Sequence, residues 1–217
     1  MQKLRFSSVF WDFGGVITSS PFEAFSKYES INKLPKDFIR QVNSTNHRNN
    51  AWAKLEQSKI NLEEFDLLFR KESSELGNEV SGAEVLGLLQ GHVRPEIVRC
   101  LEILKSNNYK LACLTNNFDS GEKDNSALDD ANTERLNIMK NFDYIIESKE
   151  LGIRKPDVEF YVKALEITGS NPYETIFLDD LGINLKPAKE LGMSTIKVLN
   201  GKQALEDLSN LTGINFE

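Results

Sequence analysis

Five short, nearly continuous apolar runs punctuate the chain: SSVFWDF (7–13), KLACLTNN (110–117), FDYIIES (142–148), TIFLDD (175–180) and STIKVL (194–199). Runs of this length without polar alternation predict strands buried on both faces. Between them the apolar period lengthens. Pro95 to Lys105 places Ile97, Val98, Leu101 and Leu104 on one helical face, and Pro156 to Ile167 does the same with Val158, Tyr161, Val162 and Leu165. NLKPAKELGM (184–193) predicts a helix stopped by Gly192. Strands alternating with helices predict an α/β fold, a doubly wound parallel sheet of Rossmann-like type.

The alternation is broken once, directly after the first strand. From about Ser20 to Gly91 the pattern is helical, as in NLEEFDLLFRKESSEL (61–76), with no convincing strand. This predicts a helical cap at 20–91, inserted into a core made of 1–19 and 92–217 and lying over the carboxyl end of the sheet. The polar stretch 118–134 is expected to be an exposed connection with some helix.

Composition narrows the classes. The chain has 217 residues, 40% hydrophobic and 27% charged, which is enough for one large domain or a core with a smaller companion. A net charge of −7 argues against nucleic acid or an anionic membrane as partner, though a local basic pocket remains open to it. Asp12 interrupts the first apolar run, so neither a signal peptide nor a membrane span is expected. Cys100 and Cys113 read as buried reduced thiols. With only His47 and His92 beside them, no zinc set forms. A reducing cytoplasm is the expected compartment.

Candidate chemistry lies where the strands run out. The first run reaches Asp12, the second Thr115 and Asn116, and the fourth Asp179 and Asp180. In a parallel sheet these are carboxyl ends, where ligands bind. One such aspartate reads as a turn or helix cap, but three strands ending this way call for another account. Asp12, Asp179 and Asp180 crowded together would repel, and a hard divalent cation such as Mg²⁺ would resolve the repulsion. Lys155 in GIRKPD can add a second positive charge, with Pro156 starting the helix after it, whereas Arg154 reads as an exposed solvated charge. The Thr115 hydroxyl, the Asn116 amide and backbone N–H groups released by Gly14 and Gly15 suit phosphate oxygens. Asp12 could then attack phosphorus to form an acyl phosphate.

In this order VFWDFGGVI, LTNN, GIRKPD and IFLDDLGINLKPAKELGM resemble the four motifs of the haloacid dehalogenase superfamily. Among its branches the chain is most similar to the amino-terminal phosphatase domains of soluble epoxide hydrolases, which share the FLDD.G.NLKPA..LGM phrase and a closing TGI (212–214). The resemblance implies a Rossmann-like core with a helical cap after the first strand. It implies Asp12 as nucleophile, Thr115 with Asn116 on the phosphate, and Lys155 steadying both phosphate and nucleophile. It implies Mg²⁺ held by Asp12, the carbonyl of Gly14, Asp180 and, directly or through water, Asp179, with Asn184 supporting that loop.

Gly14 departs from the pattern. Family phosphatases usually carry a second aspartate there, which protonates the leaving group and then activates water. Such help is typically worth about 10²–10⁴-fold. The expected activity is therefore Mg²⁺-dependent hydrolysis of a small phosphorylated metabolite, slow unless the leaving group is good. Two alternatives stand beside it: a metal-independent dehalogenase acting on carbon, and a weakly catalytic module that binds phosphorylated metabolites. His47, Arg48 and Trp52 are candidate cap contacts to substrate, His47 also being the nearest histidine to replace the missing acid. Trp52 reads better as cap core.

Overall fold

The computed structural model describes residues 5–89, 91–117 and 130–216. Five parallel strands form one sheet: β1 (Ser8–Trp11), β2 (Lys110–Thr115), β3 (Tyr144–Glu147), β4 (Thr175–Asp179) and β5 (Ser194–Lys197), in the spatial order β3-β2-β1-β4-β5. All five apolar runs thus become strands. β1 lies centrally because nearly every side chain on it needs cover. Val9 and Trp11 enter one apolar cluster and Phe10 enters another on the opposite face, following the two-residue repeat of a strand.

Helices cover the two faces and the segment after β1. Five follow that strand: α1 (Phe22–Ile31), α2 (Phe38–Ser44), α3 (Ala51–Glu56), α4 (Leu62–Glu75) and α5 (Gly82–Gly87). Six more lie among and after the remaining strands: α6 (Pro95–Ser106), α7 (Asp130–Met139), α8 (Ser148–Leu151), α9 (Val158–Thr168), α10 (Gly182–Glu190) and α11 (Gly201–Thr212). Four of these starts are written locally. Asn50, Asn61, Ser81 and Asn200 each accept a backbone N–H with the side chain at a helix start. Asn61 and Glu64 complete a reciprocal capping box.

Helices α1 to α5 share a cluster of their own. Phe25, Phe38, Ile39, Val42, Leu55, Phe65 and Phe69 are buried against one another, and every residue of that cluster falls between 22 and 89. The strands that lead into and out of this unit meet in one antiparallel bridge, Thr18 with Val93, beside a Ser19 N–H that donates to the carbonyl of His92 at 2.8 Å.

Two expectations shift, and a third falls mostly outside the described residues. The helix expected from Pro156 begins at Val158, because Asp157 holds the extended cap position. The helix closed by Gly192 ends at Glu190, and Gly192 follows with φ of 103°. The connection at 118–134 lies outside the described residues, apart from 130–134, which open α7. Cys100 and Cys113 are buried and free of any disulfide, and burial pushes the Cys113 thiol up to about 12. Among the described residues no helix is long and apolar enough to cross a membrane.

Candidate active site

Register brings the strand ends together. Trp11 on β1 pairs with Leu178 on β4, so the next residues, Asp12 and Asp179, stand level at adjacent strand ends. Trp11 also pairs with Cys113 on β2, which places Thr115 one residue beyond the level of Asp12. Carboxylate oxygens of Asp12, Asp179 and Asp180 lie within 4.8 Å of one another. Lys155, from the loop before α9, is buried among them. Its Nζ is 2.9 Å from Asp12 Oδ1 and 2.8 Å from Asp179 Oδ2, and it sits 5.5 Å from the Phe177 ring centroid.

Each carboxylate has a distinct setting. Asp12 Oδ1 accepts from the Phe13 N–H at 2.7 Å as well as from Lys155, so Oδ2 is the oxygen left for bond formation or metal. Asp179 is fully buried and its oxygens are heavily engaged. The Leu181 N–H donates to Oδ1 at 2.8 Å, Asn184 Nδ2 reaches both oxygens at 3.1 Å, and Lys155 takes Oδ2. Asn184 is itself held by its carbonyl, which accepts from the Tyr161 hydroxyl at 2.6 Å. Asp180 is the more open of the pair and accepts from Ser20 Oγ at 3.2 Å. The donor geometry therefore favours Asp12 and Asp180 as the oxygens free to face a cation, with Asp179 anchoring Lys155 and the loop into α10.

Electrostatics follow from burial. Loss of water pushes the Asp12 carboxyl up to about 8; Lys155 opposes the rise, and Asp179 and Asp180 add to it. Burial, reinforced by Asp179, carries Asp180 up to about 6. For Lys155, burial works against the charged form, but Asp12 and Asp179 outweigh it and hold the ammonium above its ordinary range. Three carboxyl groups with one ammonium leave an excess of negative charge, and their hard oxygen donors fit a Mg²⁺-type cation.

The two glycines differ in kind. Residues Phe13–Ile17 form a kinked turn in which Gly15 has φ of 77°. A Cβ on Gly15 would collide with the Asp180 carboxylate, so only glycine permits this approach. Gly14 has an ordinary extended conformation, φ −70° and ψ 131°, and a Cβ there meets nothing within 4 Å. No steric rule excludes an aspartate at 14.

The remaining expected residues fall as follows. Thr115 is buried at the end of β2. Asn116 lies next to it, but its amide is already engaged: Nδ2 donates to the Lys155 carbonyl at 2.9 Å and to Glu56 Oε2 at 3.2 Å, and Oδ1 accepts the Lys155 N–H at 2.9 Å. With both amide hydrogens taken, Asn116 holds the Lys155 backbone, where the sequence pointed to a phosphate donor. Arg154 is not an exposed charge. It is largely buried, its Nη1 lying 2.6 Å from Glu56 Oε2, a buried carboxylate on α3 whose charge it balances. Trp52 packs edge-on against Phe65, 5.3 Å between centroids, and donates Nε1 to Glu56. His47 is half-buried and Arg48 exposed, and among the described residues no hydrogen bond or ion pair joins either to Asp12, Lys155 or Asp180.

Two contributors escaped the sequence. Glu56 closes a helix whose other inward residues are Ala51, Ala53 and Leu55, and a carboxylate in that apolar position was the available signal. Arg94 donates Nη1 to the carbonyls of Gly15 at 2.9 Å and Val16 at 3.2 Å, fixing the turn after Asp12. Nothing local marks it.

A family model described as haloacid dehalogenase-like hydrolase matches residues 6–192. The chain belongs to the haloacid dehalogenase-like hydrolases. As such it is an enzyme of the hydrolase class. It is 29% identical over 218 residues to a bifunctional epoxide hydrolase 2 from Mus musculus, covering 95% of this chain and 39% of that relative. It is 34% identical over 109 residues to a glyceraldehyde 3-phosphate phosphatase from Methanocaldococcus jannaschii, covering 50% of this chain and 45% of that one. Its fold is similar, with a TM-score of 0.56 and 22% identity, to a haloacid dehalogenase family enzyme from Bacteroides thetaiotaomicron solved with magnesium and inorganic phosphate. That match covers 88% of this chain and 93% of the other. Each of these matches spans less than half the length of the curated relative named.

Proposed function

We propose that this haloacid dehalogenase-like hydrolase is a Mg²⁺-dependent phosphatase of a small phosphorylated metabolite, with Asp12 as nucleophile and the helical unit at 20–91 as the cap that selects substrate. One observation carries the reading. A buried lysine is paired with the carboxylate placed for attack, beside two further carboxylates whose charge it does not balance. A dehalogenase attacking carbon would have no use for that acidic excess. The relatives that are phosphatases support the same direction.

Asp12, Asp180 and the Gly14 carbonyl would hold the cation, with Asp179 behind them. When bound, Mg²⁺ supplies positive charge to the phosphoryl oxygens and to the carboxylates facing them. The chain's own residues do the rest. Lys155 opposes the rise that burial imposes on the Asp12 carboxyl and draws its Oδ1 aside, leaving Oδ2 to attack phosphorus. The phosphorus–oxygen ester bond breaks and the leaving oxygen departs with the electron pair. Water then attacks the phosphorus of the aspartyl phosphate, releasing inorganic phosphate and restoring the Asp12 carboxylate. Gly14 offers no proton to the leaving oxygen, so substrates with good leaving groups, such as acyl, aryl or sugar 1-phosphates, are favoured.

The test is hydrolysis of para-nitrophenyl phosphate with Mg²⁺ beside the Asp12→Asn variant. Mg²⁺-dependent release lost in Asp12→Asn is expected. Release that survives the substitution removes Asp12 as nucleophile. Chloride release from 2-chloropropionate without Mg²⁺ replaces this reading with a dehalogenase.

A further inference from the structure

Glu56 is a buried carboxylate on α3, outside the motifs that define the site. It ties three groups together: Arg154 Nη1 at 2.6 Å, Asn116 Nδ2 at 3.2 Å and Trp52 Nε1 at 3.1 Å. Two of these partners converge on one peptide. The Lys155 carbonyl accepts from Asn116 Nδ2 at 2.9 Å and from Arg154 Nε at 3.1 Å, while the Lys155 N–H donates to Asn116 Oδ1 at 2.9 Å. The backbone of Lys155 is therefore clamped from both sides, and each jaw of the clamp touches Glu56.

We infer that Glu56 is a positioning residue that makes the placement of Lys155 depend on α3 being seated against the sheet. The inference rests on the phosphatase reading only in taking Lys155 as the partner of the nucleophile. The physical argument is one of desolvation. Burial raises the Glu56 carboxyl and disfavours its charge, while Arg154, Lys155, Trp52 and Asn116 oppose that rise. Paired, the carboxylate and the guanidinium balance each other's charge; separated, each would stand buried and uncompensated. The ion pair therefore forms when α3 meets the GIRKPD loop. On forming, it completes the hydrogen bonds that hold the Lys155 peptide and, through it, the ammonium 2.9 Å from Asp12. A side chain at the edge of the helical unit in this way reports its seating to the nucleophile. Trp52, packed on Phe65 and Phe69, carries the same link into that unit's own apolar cluster.

The experiment is a double-mutant cycle read two ways. Values of kcat/KM for para-nitrophenyl phosphate with Mg²⁺ are measured for the wild type, Glu56→Ala, Arg154→Ala and the double variant, and again with Asn116→Ala added to Glu56→Ala. Partners in one hydrogen-bonded network couple strongly, so each single change is expected to lower kcat/KM about tenfold. The double variant is expected to fall no further than the worse single, and Glu56→Gln, which keeps an acceptor for Asn116 and Trp52, to lose less than Glu56→Ala. Losses that multiply, or a Glu56→Ala variant as active as the wild type, overturn the inference.

The second readout is acrylamide quenching of tryptophan fluorescence. Trp11 is fully buried, so a change reports Trp52. Quenching is expected to rise in both Glu56→Ala and Arg154→Ala, and unchanged quenching in both overturns the link. If the wild type hydrolyses no phosphate ester, the phosphatase reading fails by itself and the fluorescence still decides whether the link exists.

Discussion

At the scale of single residues, neighbouring glycines obey different rules. Gly15 has φ of 77° and backs directly onto Asp180, so Gly15→Ala combines an unfavourable backbone with displacement of a carboxylate facing the site. Strained positions of this kind cost about 1–3 kcal/mol. Gly15→Ala is expected to lower the melting temperature and abolish Mg²⁺-dependent hydrolysis, measured by calorimetry and phosphate release. Gly14 stands in open space with an extended backbone. Gly14→Asp is expected to fold normally and to raise kcat by about tenfold or more through general acid–base help. The gain should be larger for an alkyl phosphate, whose leaving oxygen needs the proton, than for an aryl phosphate. Equal or absent gains on both would show that proton supply does not limit turnover.

At the scale of elements, a boundary is set locally where a side chain closes its own hydrogen bond. Asn61 and Glu64 announce α4 by their spacing alone, and Asn61→Ala is expected to cost about 1 kcal/mol of stability while leaving kcat unchanged. Equilibrium unfolding in urea checks the first part and phosphatase assays the second. The start of α9 was less legible. Pro156 is a good opening residue in general, but here Asp157 takes the cap position and the residues before it are committed to the Lys155 loop. The apolar runs showed the strands for a simple reason: a strand buried on both faces has no polar alternation to obscure it. Their spatial order was not visible in the runs, because pairing is decided between segments rather than within them.

At the scale of the whole molecule, the sheet concentrates negative charge at the carboxyl ends of its inner strands, and this sets how stability responds to pH. Burial carries Asp12 from an ordinary 3.8 to about 8, with Asp179 and Asp180 adding to the rise against Lys155. The folded state thus keeps a proton that the unfolded chain releases. Without metal, this group's stabilising contribution is complete below about pH 4 and is lost as pH rises through about 8. A cation at the cluster must displace that proton, so its benefit grows in the same direction. Melting curves with Mg²⁺ or with EDTA are expected to differ little at pH 5.5 and clearly at pH 8.5. A Mg²⁺ effect that is larger at the lower pH would contradict a cation held by Asp12.

By itself the sequence determined the local and the chemical. It showed an α/β chain, a helical segment after the first strand, and acidic or hydroxyl residues at the ends of three apolar runs, because periodicity, capping and residue type act over a few positions. It also carried the family motifs in their order. Only the tertiary structure decided how those residues are spent. Asn116 is consumed by the Lys155 peptide, the Asp179 carboxylate by three donors, and Arg154 by a glutamate 98 positions earlier in the chain. Hydrogen bonds and desolvation depend on distance in space, and no local pattern records which distant partner will use up a side chain's donors or strip its water.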